Sequence, residues 1–167
     1  MCAVPNKSAS NPTSGTAGEP VIEVEISFGL DAGSPVYGLR REVFVEEQGI
    51  AEEFSEQDAD AYHAVLCRDG EPVACGRVFE DGPGSGHYHL GRFAVRKPYR
   101  RCGMGSQVLV ILEQTAAALG ATEYVLDAQL SAAGFYEKHG YERVTDIYEL
   151  VNIPHVTMRK RLAAVGQ

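Results

Sequence analysis

A short turn between a strand and a helix constrains the fold of this chain more than any other segment. The strand ends near Val95, the helix runs to Leu119, and Gly103 and Gly105 lie between them. Two glycines one residue apart let the backbone bend tightly and approach an anion closely. The first N–H groups of the helix have no intrahelical acceptor, and the positive end of the helix dipole lies at the same place. The pattern predicts a turn that can hold a pyrophosphate.

Basic side chains are concentrated around this turn. Five of the 15 basic residues fall within ten positions, whereas the whole chain has a formal net charge of -8. A local basic site on an acidic protein favours a specific anionic ligand over a general attraction to nucleic acid. On local features alone, a plain structural turn stays an alternative. The five residues are Arg92, Arg96, Lys97, Arg100 and Arg101.

The chain has the length and composition of one domain. Its 167 residues, 44% of them hydrophobic, suit a single well-packed core. No apolar run approaches the roughly 18 residues of a membrane span, and no apolar stretch follows Lys7 that could form a signal peptide. We therefore expect a cytoplasmic protein without a membrane partner. Small and polar residues predict a disordered tail over residues 1–20, followed by one domain over 21–162 and a short tail over 163–167.

The first half of the domain has the pattern of antiparallel strands. Ile22, Val24 and Ile26 alternate with glutamates, which predicts a half-buried strand. Asp69-Gly70 is a strong hairpin signal between two apolar segments. A helix is predicted over 34–47. The predicted strands cover residues 21–26, 61–67 and 72–80 and the segment that ends at Val95.

The second half alternates helices and strands. The helix after the glycine turn carries an apolar stripe that includes Leu119, and Gly120 ends it. A buried strand over 124–126, a short helix over 131–139 and two final strands near 141–144 and 155–159 follow. The whole pattern predicts a mixed α+β domain.

Several other chemistries do not fit the sequence. The four cysteines have no C-x-x-C spacing. No Gly-Lys-Ser/Thr follows the glycines, and Val108 lies where a dinucleotide fingerprint needs glycine. Pro83 and His87 flank Ser85 where a nucleophile elbow needs glycines. His87 and His89 share one strand face, but no third ligand has a fitting spacing, so we expect no metal site.

Two segments resemble the GNAT superfamily of N-acetyltransferases. Arg100-x-x-Gly103-x-Gly105 matches the Gln/Arg-x-x-Gly-x-Gly/Ala signature, and residues 133–141 resemble the second motif. Residues 41–48, residues 126–129 and Ile153-Pro154-His155 also resemble the small bacterial ElaA and YjcF-like subfamily. The resemblance covers nearly everything from Ile22 to Lys160. It implies an α+β GNAT fold, with a mixed central sheet of six to seven strands, antiparallel N-terminal strands, about four helices and splayed strands 4 and 5.

The resemblance also implies acetyl-CoA as co-substrate and acyl transfer to an amine. In such folds the pantetheine arm fills the opening between the splayed strands and pairs with the backbone of the fourth strand. The pyrophosphate lies on the N–H groups of the glycine turn. The implied cofactor-binding residues are Phe93, Ala94, Val95, Arg100, Arg101, Cys102, Gly103, Met104, Gly105, Ser106, Gln129, Phe135 and Tyr136.

The same resemblance suggests catalytic roles. Tyr136 matches the tyrosine that many members place against the CoA sulfur as general acid, and a phenol with a reference pKa of ~10 is protonated at neutral pH. A backbone N–H at or near Val95 is expected to polarise the thioester carbonyl. Glu47, His63 and His155 are candidates for the general base, and a water chain leading from a carboxylate is an alternative. Each of the three side chains could equally be structural.

The acidic residues limit the class of acceptor substrate that we expect. Seven acidic residues gather in the segment that lines the acceptor side in this fold, which suits a cationic amine such as a small metabolite, a polyamine or a lysine side chain. A plain acidic surface is the alternative. A homodimer is compatible with the resemblance. The alternative function is that of a non-catalytic acyl-CoA-binding or sensing module. The acidic residues are Glu46, Glu47, Glu52, Glu53, Glu56, Asp58 and Asp60.

Overall fold

The computed structural model describes residues 18–51 and 53–164. Most of the predicted N-terminal tail, residues 1–17, lies outside the described residues, as do Glu52 and residues 165–167 of the predicted C-terminal tail. The described part of the N-terminal tail, residues 18–20, is exposed and has no regular structure.

Eight strands and three α-helices alternate along the described part of the chain. Helix α1 continues without a break into a π-helical segment, Arg41–Glu47, and Gly49, with a φ of 71°, follows the end of this segment. The elements are β1 (Ile22–Phe28), α1 (Pro35–Arg40), β2 (Tyr62–Arg68), β3 (Glu71–Glu80), β4 (His87–Val95), α2 (Met104–Ala118), β5 (Glu123–Gln129), α3 (Ala133–Lys138), β6 (Glu142–Arg143), β7 (Tyr148–Leu150) and β8 (Ile153–Arg161).

The strands form one mixed sheet in the order β1-β2-β3-β4-β5-β8-β6, and β7 pairs with β8. All neighbours are antiparallel except β4 and β5, which are parallel. The predicted fold class, an α+β GNAT fold with antiparallel N-terminal strands, is confirmed. The short strands β6 and β7 raise the count to eight within the described residues, beyond the six to seven expected.

Strands β4 and β5 separate along most of their length. They pair at only three positions, from His87↔Glu123 to His89↔Val125. Beyond these pairs, β4 continues to Val95 and β5 to Gln129 without pairing to each other. The predicted splay between strands 4 and 5 is therefore present, and it leaves the edge of β4 that faces β5 without a partner strand.

Helices cover both faces of the sheet. Helix α2 packs over β2, β3 and β4 with Val108, Leu109 and Leu112, each at most 1% exposed. A Cβ atom at Gly76 of β3 would lie 2.8 Å from side-chain atoms of both Val108 and Leu112, so this close approach requires glycine. On the opposite face, α1 and the π-helical segment form a second buried cluster.

The prediction that β1 is half-buried is wrong. Ile22, Val24 and Ile26 are 39%, 50% and 47% exposed. Strand β1 lies at the edge of the sheet, and α2 packs over its neighbours β2 to β4 instead. Leu119, predicted to be buried, is 45% exposed because it lies at the C-terminal end of α2. Among the described helices, none is long and apolar enough to span a membrane.

Candidate active site

The opening between β4 and β5 holds a cavity of about 350 Å³. Its wall combines residues from the splayed parts of both strands with residues from the end of the π-helical segment, from α3 and from the β7–β8 hairpin. Four of the residues predicted from the sequence lie on this wall. They are Phe93, Gln129, Tyr136 and His155.

The predicted anion-binding turn is present at the start of α2. Gly103 precedes the helix with a φ of 76°, in the left-handed region that favours glycine. The Gly103 carbonyl accepts the N–H of Gln107 at 3.1 Å, so Met104, Gly105 and Ser106 are the first helical residues and their N–H groups have no acceptor within the helix. This is the donor geometry that a pyrophosphate needs.

Gly105 lies where the first turn of α2 meets β4 and α3. A Cβ atom at Gly105 would lie 3.6 Å from the Phe135 ring and 3.8 Å from the Val95 side chain, which are ordinary van der Waals distances. The turn therefore lies beside both of these elements. The residues present fit a CoA pyrophosphate at this place.

Arg100 ties the turn to two other elements. Its Nε donates to the carbonyl of Val95 at 2.8 Å, and its Nη2 lies 2.5 Å from Oε2 of Glu47. The signature arginine thus joins the end of β4 to the end of the π-helical segment. Glu47 is engaged in this ion pair, and it does not lie on the cavity wall.

The two family motifs also touch each other. The hydroxyl of Ser106, in the first turn of α2, lies 2.9 Å from Nε2 of His139. The His139 ring packs against Phe135, with the ring centroids 4.8 Å apart. This contact could not be predicted from the sequence, because 33 residues separate the two partners.

Tyr136 is the best-placed proton donor on the cavity wall. Its ring, 8% exposed, packs against Phe93 and Phe135. No other residue in the described ranges lies within hydrogen-bonding distance of its hydroxyl. Burial raises the pKa of Tyr136, so the phenol is protonated at neutral pH.

Of the three candidate bases, only His155 lines the cavity in the described part of the chain. His155, in β8, lies on the cavity wall, and its Nδ1 lies 2.7 Å from the carbonyl of Ile153. A carbonyl can only accept, so Nδ1 carries the hydrogen and Nε2 of the neutral ring is an acceptor. His63 is fully buried away from the cavity, where its Nε2 donates to the Asp58 carbonyl at 3.0 Å. Burial also lowers the pKa of His63.

A cluster of ion pairs extends from the cavity wall into the protein. Arg40 Nε lies 2.5 Å from Oε1 of Glu53, and Arg40 Nη1 lies 2.7 Å from Oδ1 of Asp58. Arg77 Nη1 lies 2.8 Å from the same Asp58 oxygen. Burial raises the pKa of Glu53, while the charges of Arg40 and Arg92 oppose this change. We call Arg40, Glu53, Asp58, Arg77 and Arg92 the ion cluster.

The acidic segment on the acceptor side is therefore largely paired. Glu53 and Asp58 belong to the ion cluster, Glu47 pairs with Arg100, and Glu46 lies 3.8 Å from Arg41. Of the seven acidic residues, Glu52 lies outside the described ranges. The charges of Glu46, Glu47, Glu53 and Asp58 are compensated by arginines that the sequence pattern did not connect to them.

The β7–β8 hairpin adds polar groups that the sequence did not indicate. The Tyr148 hydroxyl lies 2.7 Å from Oδ1 of Asp127, and the Tyr148 ring stacks on His155 with centroids 6.2 Å apart. Asp127 also lies on the cavity wall and has His89 Nε2 3.6 Å from its other oxygen. Strand β7 has only three residues, too few for a recognisable period.

Comparisons with known proteins identify the class of fold and site. A family model described as an acetyltransferase (GNAT) domain matches residues 33–162, and this chain therefore belongs to the GNAT family. The predicted resemblance is confirmed.

Individual relatives agree with this assignment. The Bacillus subtilis protein named uncharacterized N-acetyltransferase YjcF is 39% identical over 127 residues, which cover 73% of this chain and 87% of YjcF. The crystal structure of Escherichia coli ElaA superposes with a TM-score of 0.76 at 25% identity, covering 84% of this chain and 100% of ElaA. An acyl-CoA N-acyltransferase from Pseudomonas aeruginosa gives a TM-score of 0.74 at 28% identity, covering 84% of this chain and 99% of that protein.

Proposed function

We propose that this protein is an N-acetyltransferase that transfers the acetyl group of acetyl-CoA to the primary amine of a small molecule or a lysine side chain, by direct attack in a ternary complex. Membership of the GNAT family supports acyl transfer from an acyl-CoA. One observation carries the finer proposal. Tyr136 and His155 lie on the wall of one cavity, and among the described residues neither the Tyr136 hydroxyl nor His155 Nε2 has a hydrogen-bond partner.

The groups for binding acetyl-CoA surround this opening. The N–H groups at the start of α2 donate to the pyrophosphate oxygens, with the backbone of residues 101–103 beside them. The unpaired edge of β4 offers the backbone of Phe93, Ala94 and Val95 to the pantetheine arm. Gln129 and Phe135 contribute further contacts at the end of β5 and in α3. Acetyl-CoA supplies the acetyl group as a thioester.

Proton transfer is assigned to the two side chains on the cavity wall. His155 Nε2 takes a proton from the acceptor ammonium, and the neutral amine then attacks the thioester carbonyl carbon. A backbone N–H at or near Val95 polarises that carbonyl. The C–S bond breaks as the Tyr136 hydroxyl gives its proton to the departing sulfur. The nitrogen loses its remaining excess proton on becoming an amide, and this proton restores the phenol, so the reaction releases one proton overall.

The first test is a thermal melt with acetyl-CoA, with CoA and with ATP as controls. Ligand at about 100 times its dissociation constant stabilises a fold by ~2.7 kcal/mol, which is roughly 5 to 10 °C for a domain of this size. We expect a shift with both CoA forms and none with ATP. Absence of any shift would contradict the pyrophosphate site.

The second test measures CoA release from acetyl-CoA over a panel of amines, with the acetylated product identified by mass spectrometry. We expect stoichiometric acetyl transfer to at least one amine. Tight binding of acetyl-CoA without transfer to any amine would replace this proposal with the acyl-CoA-binding or sensing module.

A further inference from the structure

Arg92 lies on the wall of the cavity proposed to bind the acceptor, and only some of its N–H donors are hydrogen-bonded to the described residues. Its Nε donates to the carbonyl of Glu53 at 3.1 Å and lies 3.1 Å from Oε2 of the same residue. None of the other described residues accepts a hydrogen bond from Nη1 or Nη2. The side chain is 31% exposed. Two adjacent nitrogens of a fixed guanidinium are therefore available to a ligand in the cavity.

The backbone at Arg92 is held in a costly conformation. Strand β4 contains a bulge, since Arg92 and Phe93 lie opposite the single residue Gly76 between the pairs Arg77↔Gly91 and Cys75↔Ala94. Arg92 has a φ of 54°, and the left-handed region costs a residue with a side chain about 1 kcal/mol or more. Glycine would avoid this cost at a bulge. An arginine at this position is therefore best explained by what its side chain does.

The charges around Arg92 leave an excess of positive charge. The ion cluster contains three guanidinium groups and two carboxylates, and so carries one net positive charge. Arg40 and Arg77 are at most 5% exposed, whereas Arg92 is the member that reaches the cavity with free donors. Among the three guanidinium groups of the ion cluster, Arg92 is therefore the one that an anion in the cavity can reach.

We propose that Arg92 binds a carboxylate of the acceptor, so that the acceptor is a small amine that also carries a carboxylate, of the amino-acid class. This inference rests on the proposed function and specifies its substrate. A guanidinium with two free nitrogens matches the two oxygens of a carboxylate. The amine would then lie toward Tyr136 and His155. A purely cationic acceptor such as a polyamine would place like charge against Arg92, contrary to the expectation from the acidic residues.

Apolar side chains on the same wall indicate that the acceptor also has an apolar part. Leu150 and Val151, at the tip of the β7–β8 hairpin, line the cavity and are 45% and 50% exposed, and Ile50 lines it as well. An acceptor with an apolar side chain would cover this exposed surface. Test ligands are therefore chosen with an apolar remainder.

The experiment compares each amino acid with its decarboxylated amine. Phenylalanine is paired with phenethylamine and leucine with 3-methylbutylamine, which keeps the amine and the apolar part while removing only the carboxylate. Binding is measured by titration calorimetry to the full chain saturated with CoA. We expect the amino acid to bind at least about tenfold more tightly than its partner in at least one pair. Equal or tighter binding of the decarboxylated member in every pair would overturn the proposal.

Variants test whether Arg92 causes the preference. Arg92→Gln should reduce the ratio of the two affinities to near one, and Arg92→Lys, which keeps the charge without the planar fork, should retain part of it. Arg41→Gln is the matched control, because Arg41 is 61% exposed and pairs only loosely with Glu46. A thermal melt checks that each variant is folded. If Arg92→Gln does not fold, Arg92→Lys is used for the comparison in its place. A full ratio in a folded Arg92 variant would contradict the proposal.

CoA release with acetyl-CoA, measured on the same pairs, separates this inference from the proposed function. If binding shows an Arg92-dependent preference but no pair releases CoA, the carboxylate site is supported and the transferase proposal is rejected. CoA release that is as fast with the decarboxylated amines would keep the transferase and reject the carboxylate site.

Discussion

The hydroxyl groups of the buried tyrosines differ in their partners. Tyr88, Tyr124 and Tyr141 each donate to a carbonyl or carboxylate of α2 or of the residue that ends it. The Tyr136 hydroxyl has no partner among the described residues and lies on the cavity wall. A phenol hydroxyl on a cavity wall can donate to a ligand or to water. Its placement is therefore consistent with a proton donor to a bound substrate.

Replacing Tyr136 by phenylalanine tests this role. The change removes the proton donor and keeps the ring that packs against Phe93 and Phe135. We expect kcat to fall by about 100-fold or more, the usual contribution of a general acid, while the affinity for acetyl-CoA changes by less than about twofold, since the pyrophosphate and pantetheine contacts are backbone groups elsewhere. Steady-state kinetics of CoA release and calorimetric titration measure the two quantities.

Tyr88→Phe is the matched control for this prediction. Tyr88 is also a buried tyrosine, 5% exposed, but it does not line the cavity. Its variant should keep the wild-type rate. A Tyr136→Phe enzyme that turns over at full speed would show that the sulfur takes its proton from another source.

At the scale of elements, local signals were predictable and distant partners were not. The start of α2 was predicted because its determinants, two glycines before an apolar stripe, are adjacent in sequence. The role of Arg100 in joining β4 to the π-helical segment was not, because Glu47 lies 53 residues away. The bulge that gives Arg92 its conformation also escaped prediction, since it depends on pairing with β3.

Gly103 offers a test of the turn as an element. Alanine at this position must adopt the left-handed conformation, at a cost of roughly 1 kcal/mol, although nothing lies within 4 Å of the new Cβ. We expect Gly103→Ala to lower the free energy of unfolding by about that amount and to weaken CoA binding, because the helix N–H groups shift away from the pyrophosphate. Denaturant unfolding and calorimetric titration with CoA measure both effects.

A second glycine supplies the comparison. Gly38 lies within α1 and also has open space around its Cβ position. Gly38→Ala should stabilise the protein by about 0.5–1 kcal/mol, since glycine is unfavourable inside a helix, and CoA affinity should not change. If Gly103→Ala bound CoA as tightly as Gly38→Ala does, the turn would not be the pyrophosphate site.

At the scale of the whole molecule, the ion cluster adds ionic contacts between α1 and the sheet, which also pack together through apolar side chains. Arg40 belongs to α1, Arg77 to β3 and Arg92 to β4, while Glu53 and Asp58 lie between the π-helical segment and β2. The order of elements was predicted from hydrophobic patterns and turn signals, and the splay of the sheet from the family resemblance. The cluster was not, because an acidic segment with unknown partners is usually a solvated surface.

Asp58→Asn tests how much this connection stabilises the fold. Asp58 accepts hydrogen bonds from Arg40, from Arg77 and from the Ser55 N–H, at 2.7 to 3.2 Å. Asparagine keeps the shape but removes the charge, which leaves Arg77 without its carboxylate partner and Arg40 with Glu53 alone. We expect the free energy of unfolding at pH 7 to fall by about 3–5 kcal/mol. Glu46→Gln, in an ion pair whose side chains are more than 60% exposed, should cost less than about 1 kcal/mol.

The difference in unfolding free energy between wild type and Asp58→Asn should depend on pH if the Asp58 carboxylate causes it. Burial alone would raise the pKa of Asp58, but hydrogen bonds from Arg40, Ser55 and Arg77 outweigh it and hold the pKa well below its usual range. The stabilisation is therefore complete above the unfolded pKa of about 3.9, and it is lost as pH falls through the lower folded pKa. Urea unfolding from pH 7 to pH 3 should show a constant difference between wild type and Asp58→Asn down to about pH 4, and a shrinking one below. A difference that stays constant to pH 3, or that is no larger than for Glu46→Gln, would mean that the Asp58 charge does not hold these layers together.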